Sequence, residues 1–321
     1  MPGLKMLLEF PLKPLLLVVG PTAVGKSKFA IQLAEKVKGE IISADSRSFY
    51  RGMDIGTAKP GAEDLEKIPH HLIDIAYPDE TISLSLFIKL AISCIQEIHS
   101  RNRLPILVGG TGQYVRAILE GWRVPEGEPN NRLRAILEGI ARELGATRLH
   151  SQLAVMDQDA ARSIDPANVR RTIRALEVIL TSGRKFSEQR LRNDSLFSTL
   201  ILGLSRPREE LYKRIDQRID MMIQEGLEME TRSLLIKGYS QDLPALSAIG
   251  YKEMTMMING QVSREEAVVL MKRRTRVFIR RQSAWFRTND PEIHWFNPKD
   301  NILENVIGVL AKVDNWKMNS T

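Results

Sequence analysis

Three short stretches carry side chains that could do chemistry. "GPTAVGKS", residues 20–27, has glycines, a lysine and a serine at the phosphate-loop spacing: Gly20, Gly25, Lys26 and Ser27. In that pattern the backbone N–H groups of the turn and of the following helix face an anion. Lys26 adds a point charge, and Ser27 can ligate magnesium. The spacing therefore predicts a phosphate or diphosphate site formed by Gly20, Pro21, Thr22, Ala23, Val24, Gly25, Lys26 and Ser27. "EIISAD" ends in Asp45, an acid able to hold a metal or take a proton, the plain alternative being a solvated strand-end carboxylate. "LPILVGG" leads into Gly109, Gly110 and Thr111, where an NTPase or kinase usually has a second magnesium-binding aspartate. His70-His71 suggests a metal, but adjacent strand residues point to opposite faces and no cysteine is near, so that reading is set aside.

These segments need a scaffold that brings them together. Leu15–Val19, "EIISAD", "LPILVGG" and "STLILGL" (198–204) read as buried strands. Between them, Phe29, Ala30, Leu33, Ala34 and Val37, then Leu86, Phe87, Leu90, Cys94, Ile95 and Ile98, recur at helical spacing. Such alternation predicts an α/β core with a mainly parallel sheet and helices on both faces, its ligands beyond the carboxyl ends of the strands. Residues 122–197 break the rhythm and read as an arginine-rich helical insertion opened by the loop "GWRVPEGEPNN". The expected division is 1–121, 122–197 and 198–321. Pro207 opens a further helix and Pro244 interrupts the pattern. Ser263 with Glu266 makes a capping box for a long helix running to about Arg287.

Of the 321 residues 43% are hydrophobic, enough for a sizeable core. The single Cys94 excludes a disulfide framework and a multi-cysteine zinc site, and suits a reducing compartment such as the cytoplasm. "MLLEFPLKPLLLVVG" is broken by Glu9, Pro11, Lys13 and Pro14, so it is not read as a signal peptide. No run approaches the roughly 20 apolar residues that cross a bilayer. The net charge of +7 favours a polyanionic partner. Around the long helix Arg273, Arg276, Arg280 and Arg287 share one sector, an RNA-facing stripe or a plain solvated face. Arg274 and Arg281 project among Leu270, Val277, Phe278 and Trp285, where a charge needs a carboxylate or a ligand phosphate.

"GPTAVGKS", "ISADSRSFYRGMDIGTAKP", "PHHLIDI", "ILVGGTGQYVRAILEG", "RRTIRALEV", "SAIGYKE" and "RRQSAWFR" follow one another as in bacterial tRNA dimethylallyltransferases. The chain resembles that family from about residue 15 to 287. The resemblance implies transfer of a dimethylallyl group from dimethylallyl diphosphate to N6 of the adenosine next to the anticodon, position 37, in tRNAs reading codons that begin with U. It makes the diphosphate the leaving group, with magnesium at Ser27, Arg218 as a further diphosphate ligand, and Asp45 and Thr111 at the adenine. A helix-surface pairing of Arg218 with Asp216 or Asp220 is the alternative. The tRNA contacts it implies are Asp45, Ser46, Arg47, Ser48, Thr111, Arg134, Arg170, Arg171, Thr172, Ile173 and Arg174, on a monomeric enzyme. The chain departs from the family at Val24, Val277, Ile279 and Arg280, and lacks the zinc finger of the eukaryotic relatives. A P-loop small-molecule kinase, a prenyltransferase of free adenine nucleotides and a non-catalytic RNA-binding protein are the other readings.

Overall fold

The computed structural model describes residues 12–125, 130–189, 191–192, 195–299 and 302–310. The reading of the apolar N-terminal run therefore lies partly outside the described residues, as does that of the loop at 121–131. The chain forms two compact units, Met1–Leu119 with Ser195–Thr321, and Glu120–Asp194.

The first unit begins with β1 (Pro14–Val19), α1 (Lys26–Val37) and β2 (Gly39–Ser43). It continues through α2 (Ala62–Lys67), β3 (His70–His71), α3 (Leu84–Ser100), β4 (Leu104–Gly109) and α4 (Gly112–Leu119). The second unit holds β5 (Trp122–Arg123), α5 (Asn131–Leu144), α6 (Ala146–Met156) and α7 (Gln158–Ser163), then α8 (Val169–Ser182), α9 (Phe186–Gln189) and β6 (Leu191–Arg192). The chain then returns with β7 (Ser198–Leu204), α10 (Arg208–Gln224), α11 (Leu227–Ile236) and α12 (Tyr251–Ile258). It ends with α13 (Arg264–Ser283), β8 (Ile293–Phe296) and α14 (Ile302–Leu310).

The six-stranded sheet runs β3-β2-β4-β1-β7-β8, with every pairing parallel. Its central strands are apolar on both faces, as a parallel sheet covered by helices requires. Alternation divides β1 cleanly. Leu16 and Val18 join the cluster built with α1 and α10–α13, while Leu15, Leu17 and Val19 join the one built with α3 and α4. Helix α3 shows the local logic: the Ser83 hydroxyl accepts the Leu86 N–H at 3.1 Å, and Phe87, Ala91, Ile95 and Ile98 point inward. Full burial of each large side chain there contributes roughly 1.5–3 kcal/mol.

The four strands read from the sequence are present, and His70–His71 and Ile293–Phe296 add an edge strand on each side. Both are short and carry polar or exposed residues, which hides them from a hydrophobic-run criterion. His71 bonds the buried Glu40 at 2.7 Å, and His70 faces the Ile68 carbonyl at 2.7 Å. Helix α13 has the expected capping box, with reciprocal Ser263 and Glu266 bonds of 2.7 and 3.1 Å, and stops at Ser283 rather than near Arg287.

The second unit is an α-helical bundle with its own core of Leu137, Leu149, Leu153, Ile164, Ile173, Leu176 and Phe186 among others. A two-residue antiparallel pairing of β5 with β6 spans its chain ends.

Candidate active site at the strand ends

Strands β2, β4 and β1 are neighbours, so the loops after Ser43, Gly109 and Val19 emerge side by side. The chain leaves β1 through Gly20, whose φ of +145° suits glycine, and where a Cβ would lie 2.5 Å from the Leu204 carbonyl oxygen. Ala23 is held at φ +62°, a left-handed conformation costly for a residue with a Cβ. Side chains from distant elements secure this turn. Arg214 Nε donates to the Ala23 carbonyl at 2.7 Å and Arg206 Nε to the Val24 carbonyl at 3.0 Å. Gly25, at φ +113°, then starts α1, with no side-chain cap on its first turn. A helix N-terminus without a side-chain cap, at the end of a glycine turn, is a ready anion cradle. Val24 is buried in the core, so it offers a ligand only backbone, and the Ser27 hydroxyl is exposed.

Three charged groups converge on this loop. The Lys26 ammonium donates to the Pro21 carbonyl at 2.9 Å. Loss of water around it pushes its pKa down to about 8, against the pull of Asp45 and with the help of Arg218. Desolvation likewise lowers Arg218, and Asp45 again opposes. Arg218 does not take the helix-surface pairing weighed above: Asp216 binds Arg276 and Asp220 binds Lys272, while Arg218 donates to the Thr57 carbonyl at 3.3 Å. Among the described residues neither Lys26 nor Arg218 has an ion-pair partner within 4.0 Å. Two cations facing one carboxylate suit a polyanionic ligand.

Asp45 starts a tight turn. Its Oδ1 accepts the Arg47 N–H at 3.0 Å, and its carbonyl accepts the Ser48 N–H at 3.2 Å. Among the described residues Oδ2 has no protein partner. The Ser46 N–H donates to the Thr111 hydroxyl at 3.4 Å, tying the second loop to the third. The Arg47 guanidinium points the other way, to the Pro244 carbonyl at 2.7 Å. Ser48 is buried, so of this turn Asp45, Ser46 and Arg47 remain half-exposed. Beneath lie Phe49, Phe87 and Tyr114, with ring centroids 4.3–6.0 Å apart. Burial raises the Tyr114 phenol to about 12, so this support stays neutral.

Gly20–Ser27, Asp45–Ser48, Thr111 and Arg218 are thus brought to one edge of the first unit. The remaining candidates lie in the second unit and form a different arrangement. Arg134 grips the buried Glu177 with two bonds of 2.8 Å, and Arg174 adds one of 2.7 Å. Arg170 is exposed and Arg171 half-buried, while Thr172 and Ile173 are buried among the helices. On α13, Arg274 pairs with the fully buried Glu253, the carboxylate its position required. Arg281 is exposed, and Phe278 and Trp285 are themselves 42% and 40% exposed, which corrects the expectation of an apolar surround. The inward face of α13 is instead Ala267, Met271, Ile279 and Gln282, about one residue's rotation away. Within the arginine stripe, Arg276 binds Asp216 at 2.7 and 2.9 Å and lies over the Tyr212 ring.

A family model described as IPP transferase matches residues 48–289. The chain belongs to the IPP transferase family. A tRNA dimethylallyltransferase of Roseiflexus sp. is 49% identical over 274 residues, 85% of this chain and 90% of that protein. One of Dehalococcoides mccartyi is 41% identical over 300 residues, 94% and 92% of the two chains. Among solved structures, the tRNA isopentenylpyrophosphate transferase of Bacillus halodurans superposes with a TM-score of 0.69 at 41% identity, covering 93% of this chain and 96% of that one. A eukaryotic dimethylallyltransferase acting on tRNA gives a TM-score of 0.75 at 30% identity, covering 89% and 74%.

Within this transferase fold, three elements of the site were not legible as such. Arg206 and Arg214 brace the phosphate loop from α10 and its entry, yet in sequence they look like surface charges. Glu230 accepts the N–H groups of Asp54, Ile55 and Gly56 at 2.9–3.2 Å, fixing the turn that offers Thr57 to Arg218. Gln282 lies inside "RRQSAWFR", where nothing local marks it out, and it touches both the first and the third loop.

Proposed function

We propose that the chain is a tRNA dimethylallyltransferase that moves the five-carbon group of dimethylallyl diphosphate onto N6 of the adenosine at position 37, next to the anticodon. The observation that carries the reading is the convergence of Lys26, Arg218 and Asp45 beside Thr111, in a chain of the IPP transferase family. The backbone of Gly20–Ser27 with Lys26 and Arg218 would hold the diphosphate. Asp45 would take a proton from N6 as the N6–C1 bond forms and the C1–oxygen bond breaks, its electron pair leaving with diphosphate. The exocyclic amine is a weak nucleophile because its lone pair is delocalised, so a base at that atom matters. Fixed positive charge at the leaving group matters equally.

Magnesium fits this site as an ion carried by the diphosphate. Ser27 offers an exposed hydroxyl at the helix start, and no group of three or more acidic, histidine or cysteine ligands is found among the described residues. When bound it would neutralise charge on the leaving group. Asp45–Ser48 and Thr111 would receive the adenosine, which must leave the anticodon stack to be reached. In the second unit, Arg170 and Arg171 are the candidates for phosphate contacts with tRNA. Codon preference for U in the first position belongs to the same proposal. The same proposal takes the enzyme to be cytoplasmic, where its tRNA substrate is found, and to act as a monomer, a reading supported by all three loops of the site coming from one chain.

The test is mass analysis of nucleosides from tRNA incubated with dimethylallyl diphosphate and magnesium. N6-isopentenyladenosine formed without ATP supports the reading. Strict ATP dependence with phosphate transfer rejects it in favour of a kinase.

A further inference from the structure

We infer that Gln282 is a positioning residue that locks the phosphate loop to the Gly110–Thr111 loop and so sets the distance between donor and acceptor; this rests on the function proposed above. Gln282 sits in the last turn of α13 and is only 6% exposed. Its carboxamide is used at both ends. Oε1 accepts the Thr22 N–H at 2.9 Å, and Nε2 donates to the Gly110 carbonyl at 3.0 Å. Thr22 belongs to the loop that would hold the leaving group, and Thr111, next to Gly110, meets the Asp45 turn through Ser46. One side chain therefore spans the two halves of the reaction.

The residue type follows from this geometry. A carboxylate could accept from Thr22 but would face the Gly110 carbonyl with like charge. A methionine has similar length and neither polar group. A Cβ on Gly110 would lie 2.3 Å from the Gln282 amide nitrogen, so a larger residue there would have to displace the amide. The platform is rigid: Arg274 pairs with Glu253, and Arg276 with Asp216 at 2.7 Å, each tying α13 to another helix. A cavity of about 380 Å³, lined by Gly20, Pro21, Ser205 and Trp295 as well as Gln282, lies beside the amide. A Gln282→Met variant keeps the length of the side chain and removes one hydrogen bond at the Thr22 N–H and one at the Gly110 carbonyl. The fold should survive while the link is lost.

Misplacing reacting groups by about 1 Å costs roughly a hundredfold in rate. Gln282→Met and Gln282→Glu should therefore lower the single-turnover rate about 10- to 100-fold at saturating dimethylallyl diphosphate and tRNA. Affinity for tRNA should change less than about twofold and the melting temperature by a few degrees at most. A readout independent of turnover is hydrogen exchange with inorganic diphosphate and magnesium as the probe. In the wild-type protein diphosphate should protect the amides of residues 109–113 as well as those of 20–27. In Gln282→Met protection of 20–27 should persist and that of 109–113 should vanish. Equal protection of 109–113 in both proteins, its absence in the wild type, or a wild-type single-turnover rate in Gln282→Met overturns the inference. A wild-type protein that makes no prenylated tRNA yet shows the transmitted protection defeats the proposed function and leaves the coupling standing.

Discussion

The two units treat buried charge in opposite ways. In the helical unit, Glu177 is 1% exposed and accepts from Arg134, Arg174 and the Asn130 N–H, all at 2.7–2.8 Å. Burial alone would raise its carboxyl, but those donors hold it below its ordinary value. In the α/β unit, Lys26, Arg218 and Asp45 influence one another without closing an ion pair, and desolvation lowers both cations. A satisfied network braces helices. An unsatisfied one holds electrostatic energy that a ligand can release. Charge count alone does not separate them, because both clusters combine two cations with one carboxylate.

That contrast can be broken from the active-site side first. Asp45→Asn keeps size but cannot take the proton. The single-turnover rate should fall roughly 10²-fold or more, with tRNA affinity little changed. A near-normal rate removes Asp45 from the chemistry. Lys26→Ala should reduce kcat/KM for the donor by about 10²-fold. Lys26 also predicts a pH dependence. With its pKa pushed down to about 8, its charge is present at neutral pH and lost as pH rises through 8 in the empty site. Diphosphate affinity should weaken above that pH, and Lys26→Arg, which keeps its charge, should flatten the decline in a calorimetric titration.

The helical unit should answer in stability instead. Arg174→Ala strips one donor from the buried Glu177 and should cost about 1–3 kcal/mol in a thermal melt. With the Glu177 carboxyl lowered in the folded state, the network's contribution is present above the ordinary carboxylate range and lost as pH falls through it, so the wild-type and variant melting temperatures should converge in acid. Thr111→Ala removes the acceptor of the Ser46 N–H and should cost about 0.5–1.5 kcal/mol in transition-state stabilisation, read as kcat/KM. The smallest effect is expected at Arg170, exposed and without a charged partner among the described residues. Arg170→Ala should leave the melting temperature alone and reduce the salt slope of log K for tRNA by about 0.7–0.9. A lower melting temperature in Arg170→Ala, or an unchanged one in Arg174→Ala, would erase the distinction between bracing and binding arginines.

Much of this was readable from residue order. The glycine spacing of 20–27 after an apolar strand carries its own physics, since only such a turn at a helix start exposes backbone N–H groups to an anion. Four apolar runs alternating with helical stripes imply a parallel sheet, and such a sheet puts its ligands at the strand ends. Residue order alone thus assigns Asp45 and Thr111 to one edge. Local pattern is enough for these conclusions because each depends on neighbours within one turn or strand.

The partners of the arginines depended on the tertiary structure. Arg134 and Arg174 are 43 and 3 residues from Glu177, Arg276 is 60 from Asp216, and Arg218 ignores the aspartates beside it. Nothing local separates a bracing arginine from a ligand-facing one, because a charge is assigned by what folding brings within a few ångströms. Gln282 shows the same limit at its widest. It reaches Thr22 across 260 residues and Gly110 across 172, and a polar side chain on a mainly charged helix announces neither contact. The sequence by itself determined the strand-end location and the chemical types of the site, through short-range geometry. Only the packing of α10 and α13 over the loops decided which side chains brace the site and which remain free to meet a ligand.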